Sequence, residues 1–240
     1  MTQDRFKNPV FVALDTPDLF RALEIAKAVR PHVGGLKVGL EFITALGPDA
    51  VRAVVATGVP VFADVKFHDI PNTVAGASKA LATLGASIFN IHTAGGEEMM
   101  RAATDAARGV DPNIKVIGVT VLTSMDDSVL TAVGQKTPAA DQVARLAVLA
   151  KKSGLDGVVC SAHEVTMIRA HCGRDFMTVV PGIRPSGTDL ADQRRVMTPA
   201  DAMRAGANIL VIGRPITGAA DPAVAAQAVA SEIISAETTA

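Results

Sequence analysis

A carboxylate and an ammonium stand two positions apart at the end of one apolar segment. The segment reads VFADVK at residues 61–66 and carries Asp64 and Lys66. Because side chains alternate between the two faces of a strand, Asp64 and Lys66 are predicted to share one face, while Val61, Ala63 and Val65 take the other. Charged side chains on a strand that is buried on both faces are costly unless they are paired or functional. The segment therefore points to acid–base chemistry at a strand end.

Further charges accompany the neighbouring apolar segments. Asp15 ends the first segment, Lys37 lies on the second, and Asp69 comes three residues after Lys66. If the segments are adjacent strands, four of these charges can form one alternating row of acids and bases: Asp15, Lys37, Asp64 and Lys66. A buried salt bridge that only sets strand register is the alternative interpretation, but four alternating charges exceed what register needs.

The eighth apolar segment, NILVIGRP at residues 208–215, predicts an anion site. Gly213 lets a ligand approach the backbone, and Arg214 opens a helical turn whose N–H groups suit a phosphate together with the guanidinium. A surface arginine after a turn glycine is the alternative.

His92, at the end of the fourth segment, is interpreted as a core or supporting histidine rather than a base, and His68 as a turn residue. The sequence holds no HxH or HExxH spacing, so no metal site is expected.

The elements that must position these residues are short β-rich segments that alternate with Ala-rich amphipathic segments. Strands are predicted at residues 10–14, 35–38, 61–66, 87–92, 114–122, 157–160, 178–180 and 209–212. Helices are predicted, for example, at residues 18–29, 71–84, 97–108, 139–153, 199–205 and 222–234. This alternation implies βαβ crossovers and a parallel sheet, and eight units in 240 residues match a single-domain (β/α)8 barrel over residues 1–240. A doubly wound open sheet is the alternative, but its first turn would often be glycine-rich, and here that turn reads DTPD.

Composition excludes several functional classes. With 49% hydrophobic residues the chain can bury a core, which excludes disorder. The net charge of −1 offers no excess of positive charge that would attract nucleic acid or an anionic membrane, and 3% aromatic residues argue against a surface on which bases stack. Two cysteines are too few for a disulfide framework, and the N-terminus has no apolar signal segment, so a cytoplasmic protein without a membrane span is expected.

The loop at residues 181–194 is unusually long and is predicted to be a functional lid.

Longer motifs resemble a known family. The stretch DVKFHDIPNT at residues 64–73 resembles the signature of the orotidine 5′-phosphate decarboxylases, in particular their bacterial branch. Supporting matches are ALD at residues 13–15, LKVG at 36–39, VLTS at 121–124, PGIRP at 181–185, DQRR at 192–195 and IGRP at 212–215. The resemblance runs from about residue 10 to past residue 222. The DxKxxD core is shared with related barrels that act on sugar phosphates, whereas the DIPNT extension and the PGIRP loop are more specific.

The resemblance implies a reaction and roles for the charged row. The reaction would be decarboxylation of orotidine 5′-phosphate to uridine 5′-phosphate, the last step of de novo pyrimidine nucleotide synthesis, with no cofactor and no metal. Lys66 would donate the proton to C6 of the pyrimidine, and Asp64 would sit beside the substrate carboxylate. Asp15 and Lys37 would hold the ribose hydroxyls. A fixed ammonium can stabilise the C6 carbanion electrostatically and then protonate it.

The resemblance also assigns base, phosphate and subunit contacts. Thr123 and Ser124 would contact the base, and Gly213 and Arg214 would bind the phosphate. The loop that begins at Pro181 would contribute Arg184, which helps it close, and Gln193, which bridges base and phosphate. Three residues would reach into the site of a partner subunit and make the active unit a homodimer with shared sites: Asp69, Ile70 and Thr73.

Two other functions remain open from the residues. The first is a sugar-phosphate decarboxylase or aldolase on the same barrel, which would want a pair of metal-binding carboxylates and would lack Ser124 and Gln193. The second is a non-enzymatic nucleotide- or phosphate-binding module, or a barrel retained for oligomerisation. An intact row of acids and bases argues against this second alternative, since a site that only binds has little use for it.

Overall fold

Eight parallel strands close into a barrel in a computed structural model that describes residues 6, 8–185 and 197–238. The strands are β1 (Val10–Ala13), β2 (Gly35–Val38), β3 (Val61–Phe67), β4 (Ile88–His92), β5 (Lys115–Val119), β6 (Gly157–Val159), β7 (Met177–Val180) and β8 (Ile209–Ile212). Each strand pairs with the next, and β8 pairs with β1. The predicted (β/α)8 barrel is therefore confirmed.

Helices connect the strands on the outside of the barrel. They are α1 (Leu19–Val29), α2 (Leu40–Val55), α3 (Pro71–Ala82), α4 (Gly96–Arg108), α5 (Asp127–Ala132), α6 (Ala139–Lys152), α7 (Val165–Cys172), α8 (Pro199–Arg204), α9 (Arg214–Thr217) and α10 (Pro222–Thr238). Local sequence sets several helix starts: Asp18 caps α1 by accepting a hydrogen bond from the backbone N–H of Arg21, and a proline opens α3. None of the helices in the described ranges combines the length and the apolar character that a membrane span requires.

The barrel interior changes from apolar to polar between two layers of side chains. The apolar layer is made of Phe11, Phe62, Ile88, Ile117, Val179 and Ile209. Gly35 completes it, because a Cβ there would lie 2.2 Å from the Phe11 ring. Two residues further along β2, β3 and β4, and hence on the same faces, stand Lys37, Asp64 and Asn90. The side chains that could do chemistry therefore lie at the carboxyl ends of the strands, above an apolar floor.

Six of the eight predicted strands differ from those in the structure at one or both ends, by one to three residues, and β5 differs most. β5 ends at Val119 rather than at residue 122, because its partner β6 ends at Val159, with which Val119 is paired. β3 continues one residue beyond Lys66 to Phe67, and its pairing with β4 shifts register between Ala63 and Phe67. This irregularity falls on the segment that carries Asp64 and Lys66.

Arg169 of α7 makes a cluster of hydrogen bonds at the amino ends of the strands, on the side of the barrel opposite to the charged side chains. Its guanidinium donates to the carbonyl oxygens of Gly206, Arg174 and Phe176 and to the side chains of Asn208 and Thr178. One cation therefore ties α7 to the amino ends of β7 and β8. Partial burial lowers the pKa of Arg169 from its ordinary value, which is the expected cost of holding a charge among neutral acceptors.

We predict that Arg169→Ala lowers the free energy of unfolding by about 2–4 kcal/mol, because several acceptors lose their donor at once. Arg101→Ala is the matched control. Arg101 is exposed on α4, where it pairs with Glu97 and donates to the carbonyl oxygen of Lys152, so its loss should cost only about 1 kcal/mol. Denaturant unfolding of both variants measures the difference, and equal losses would contradict this role for Arg169.

Candidate active site

Four charged side chains form one continuous row across the ends of β1, β2 and β3. Lys37 Nζ lies 2.5 Å from Asp15 Oδ1 and 3.8 Å from Asp64 Oδ2. Lys66 Nζ lies 2.5 Å from Asp64 Oδ1. The order Asp15, Lys37, Asp64, Lys66 is the one expected from the sequence. Two carboxylates and two ammonium groups make the row neutral overall.

The four side chains of the row differ in their exposure to solvent. The Lys37 side chain is 7% exposed, Asp64 19% and Lys66 27%, whereas Asp15 is 49% exposed. Lys37 is thus a desolvated cation held between two carboxylates, and Lys66 is the cation that solvent or a ligand can reach. Gly39 lies against the inner pair, because a Cβ there would be 2.8 Å from Lys37 Nζ and 3.0 Å from Asp15 Oδ1. A side chain at position 39 would disturb that ion pair.

The backbone of Lys66 adopts a left-handed conformation. Its φ is 52°, and it is the one non-glycine residue with positive φ among those the structure describes. Such a conformation is uncommon for a residue with a Cβ and tends to occur at functional sites. Strand alternation correctly predicted that Asp64 faces the barrel mouth, but it did not predict this turn of the chain at Lys66.

Asn90 is a buried residue of the site that the sequence analysis missed. Its Nδ2 donates to Asp64 Oδ1 at 2.7 Å, and its Oδ1 accepts from the backbone N–H of Lys66 at 2.8 Å. The available signal was an amide inside the apolar segment IFNIH, two residues from His92 and on the same face.

His92 stands next to this cluster, two residues after Asn90 on β4. Its ring centroid is 5.4 Å from that of His68. Burial lowers the pKa of His92 below its ordinary value of 6.5, with further lowering by the charges of His68 and Lys66 and an opposing effect of Asp64. No group of three or more His, Cys, Asp or Glu side chains that could hold a metal ion occurs within the described ranges.

Comparison with known proteins identifies the family. A model described as the Orotidine 5′-phosphate decarboxylase / HUMPS family matches residues 8–229. The chain belongs to this family. A Moorella thermoacetica protein named orotidine 5′-phosphate decarboxylase is 53% identical over 95% of this chain and 92% of its own length, and a Paramagnetospirillum magneticum protein of the same name is 51% identical over 94% and 98%. The crystal structure of orotidine 5′-phosphate decarboxylase from Lactobacillus acidophilus is 38% identical, with a TM-score of 0.84 over 95% of this chain and 99% of that chain.

The other described residues that the decarboxylase resemblance singled out lie on the segments that follow β5, β7 and β8. Thr123 is half-buried and Ser124 exposed in the segment between β5 and α5. Gly213 precedes α9, and Arg214, its first residue, is exposed. The side chain of Arg184 is buried and donates to the carbonyl of Ile183 at 3.0 Å. Pro181 is half-buried directly after β7, whereas Gln193 lies outside the described residues, as does most of the predicted lid.

Three residues that the resemblance assigns to a partner's site are exposed to solvent in this chain. Asp69, Ile70 and Thr73 are all exposed, and Ile70 retains 67% of its accessible surface. Asp69 Oδ1 accepts from the backbone N–H of Ile70 at 2.7 Å, and among the ion pairs of the described residues Lys66 is joined to Asp64 and not to Asp69. Asp69 precedes α3 by two residues.

We predict that His92 titrates below 6.5 and makes the folding free energy pH-dependent. The unfolded chain, with an ordinary histidine, binds a proton at a higher pH than the folded chain. The stabilisation is therefore complete above the ordinary value and declines as the pH falls from there toward the lowered pKa. Unfolding measured against pH should show a shallower loss on acidification in His92→Gln, and no such change in the exposed control His163→Gln. A histidine NMR titration that places His92 at or above 6.5 would contradict the prediction.

Proposed function

We propose that this protein removes CO2 from orotidine 5′-phosphate to give uridine 5′-phosphate, the last step of de novo pyrimidine nucleotide synthesis. The observation that carries the proposal is the Asp64–Lys66 pair, held at the barrel mouth at 2.5 Å, in a chain that belongs to the decarboxylase family. The relatives named above, at 53% and 51% identity, carry that activity in their names.

Lys66 performs the chemical step in this proposal. The bond between C6 and the carboxylate carbon breaks, and its electron pair stays on C6 in an orbital that the ring π-system cannot delocalise. The ammonium of Lys66 stabilises this charge and then transfers a proton from Nζ to C6. The resulting amine regains a proton from solvent. Asp64 orients the ammonium and lies beside the position of the departing carboxylate.

Separate groups bind the parts of the substrate that do not react. In the proposal Asp15 and Lys37 hold the ribose hydroxyls, and Thr123 and Ser124 contact the base. Gly213 and Arg214 bind the phosphate; the exposure of Arg214 supports this. Arg184 and Gln193 act from the loop that follows Pro181. Phosphate binding far from C6 contributes to turnover because it holds the reacting group in place.

A second copy of the chain completes each site in our proposal. Asp69, Ile70 and Thr73 reach the partner's site and make the active unit a homodimer. Their exposure supports this arrangement, because Ile70 is a large apolar side chain left open beside the barrel mouth. A two-fold dimer places the same segment reciprocally in both sites.

We predict that Lys66→Ala abolishes measurable turnover, with a loss of about 10³-fold or more, because charge stabilisation and the proton source disappear together. The test is CO2 release from orotidine 5′-phosphate under single-turnover conditions with saturating substrate. Uridine 5′-phosphate should still bind in part, since the groups proposed for ribose, base and phosphate remain.

Arg214→Ala serves as the comparison variant, and its defect should fall mainly on substrate affinity. A wild-type protein that releases no CO2 from orotidine 5′-phosphate would refute the proposed function. If the wild type is active, a loss below about tenfold in folded Lys66→Ala, roughly 1.4 kcal/mol, would refute Lys66 as the acid.

We predict that inactive Lys66→Ala and inactive Asp69→Ala chains restore activity when they exchange subunits. In a mixed dimer one site keeps both residues intact. Random exchange of equal amounts should therefore give about a quarter of the wild-type activity, since about half of the dimers are mixed and each has one intact site. A mixture of Lys66→Ala with Asp64→Ala is the matched control and should stay inactive, because both of those residues come from the same chain. No recovery after verified exchange would exclude the shared site.

A further inference from the structure

Asn90 connects the two residues on which the proposed reaction depends. Its side chain is fully buried on β4, and both ends of the amide are engaged across the β3–β4 boundary. Nδ2 donates to the carboxylate of Asp64, and Oδ1 accepts from the backbone N–H of Lys66. A carboxylate can only accept and an N–H can only donate, so the two neighbours allow a single orientation of the amide.

The contact with Lys66 lies at the irregular point of β3. The register with β4 shifts between Ala63 and Phe67, and within that interval Lys66 has its φ of 52°. Regular pairing does not continue there, and the Lys66 N–H finds its acceptor in the Asn90 side chain instead. This hydrogen bond opposes relaxation of Lys66 to the extended backbone that a residue with a Cβ prefers.

The contact with Asp64 lies on the oxygen that also binds the ammonium. Asp64 Oδ1 accepts from Lys66 Nζ at 2.5 Å and from Asn90 Nδ2 at 2.7 Å. The amide therefore fixes one end of the ion pair through the carboxylate and the other end through the backbone. The Asn90 side chain therefore holds the Lys66 backbone directly, and it holds the Lys66 ammonium indirectly, through Asp64.

We propose that Asn90 is a positioning residue of the decarboxylation: it holds Asp64 and Lys66 as one rigid unit, so that the ammonium is aimed at the carbon that loses CO2. Asn90 does not touch the substrate in this account. The inference rests on the proposed function and adds a residue that acts through the pair. A displacement of about 1 Å in such a group can cost about 100-fold in rate.

The first test is Asn90→Ala, assayed for CO2 release from orotidine 5′-phosphate by the whole protein. We expect kcat to fall about 100-fold while KM changes less than about threefold, because the groups proposed for ribose and phosphate are untouched. Thr104→Val is the matched control. Thr104 is also buried and polar, but its hydroxyl bonds to the Met100 carbonyl within α4, so its loss should lower stability without lowering kcat.

The second test is Asn90→Asp, which keeps the size of the side chain and an acceptor for the Lys66 N–H. The new carboxyl can donate to Asp64 only when it is protonated, and a neighbouring carboxylate favours protonation. The kcat of this variant relative to wild type should therefore rise as the pH falls. The charged or titratable groups around it are Asp15, Lys37, Asp64, Lys66, His68 and His92.

The outcomes distinguish failure of the positioning role from failure of the proposed function. An active wild type with an Asn90→Ala variant of unchanged kcat would overturn the positioning role and leave the proposed function standing. If Asn90→Ala does not fold, the isosteric Asn90→Asp decides: a kcat ratio that is independent of pH would overturn the inference. An inactive wild type would instead refute the proposed function itself.

Discussion

A desolvated ammonium between two carboxylates is the constraint on which the site depends. Lys37 is almost fully buried, and its charge is tolerable only because Asp15 and Asp64 flank it. Removing either carboxylate would leave a buried cation short of a partner, so β1, β2 and β3 must keep the register that brings the three together. Register pairs Ala13 with Lys37 and Lys37 with Phe62, which sets the ends of all three strands at one level. Lys66 then enters the row as its most accessible cation.

The apolar floor makes this charged layer possible. Phe11, Phe62 and Ile88 lie in the barrel one layer below Lys37, Asp64 and Asn90, and all three are almost fully buried. Charges above such a floor interact more strongly than they would in bulk water, because the surrounding dielectric is low. The low dielectric raises the free-energy cost of burying the four charges of the row. It also strengthens their interaction with a charge that develops in the site during the reaction.

The sequence predicted the regular parts of this arrangement and missed its irregular ones. Strand alternation placed Asp64 on the mouth-facing side, and the alternating pattern of strands and helices predicted the barrel, because both follow from local periodicity. The left-handed backbone of Lys66 is not a local property: it accompanies a register shift and a hydrogen bond to Asn90, 24 positions further along the chain. The end of β5 likewise depends on the length of β6 and not on the apolar residues that follow Val119. The lowered pKa of His92 arises from burial and from charges on other segments, which no spacing in the sequence encodes.

The neutrality of the row bears on how the proposed reaction distributes its binding energy. In the proposed reaction, orotidine 5′-phosphate would bring its carboxylate to the side of the site where Asp64 stands, and two like charges at close range would destabilise the bound substrate. That repulsion disappears as CO2 leaves, whereas the attraction between Lys66 and the developing C6 carbanion grows, so both changes favour the transition state over the bound substrate. The substrate must nevertheless be held against the repulsion, and the row itself offers no net positive charge to do so. In the proposal the phosphate, bound by groups such as Arg214 after β8, supplies that attraction at a point where no bond changes. A site built this way should therefore place its strongest ground-state contacts far from the reacting carbon and keep its rigid, strained geometry for Lys66.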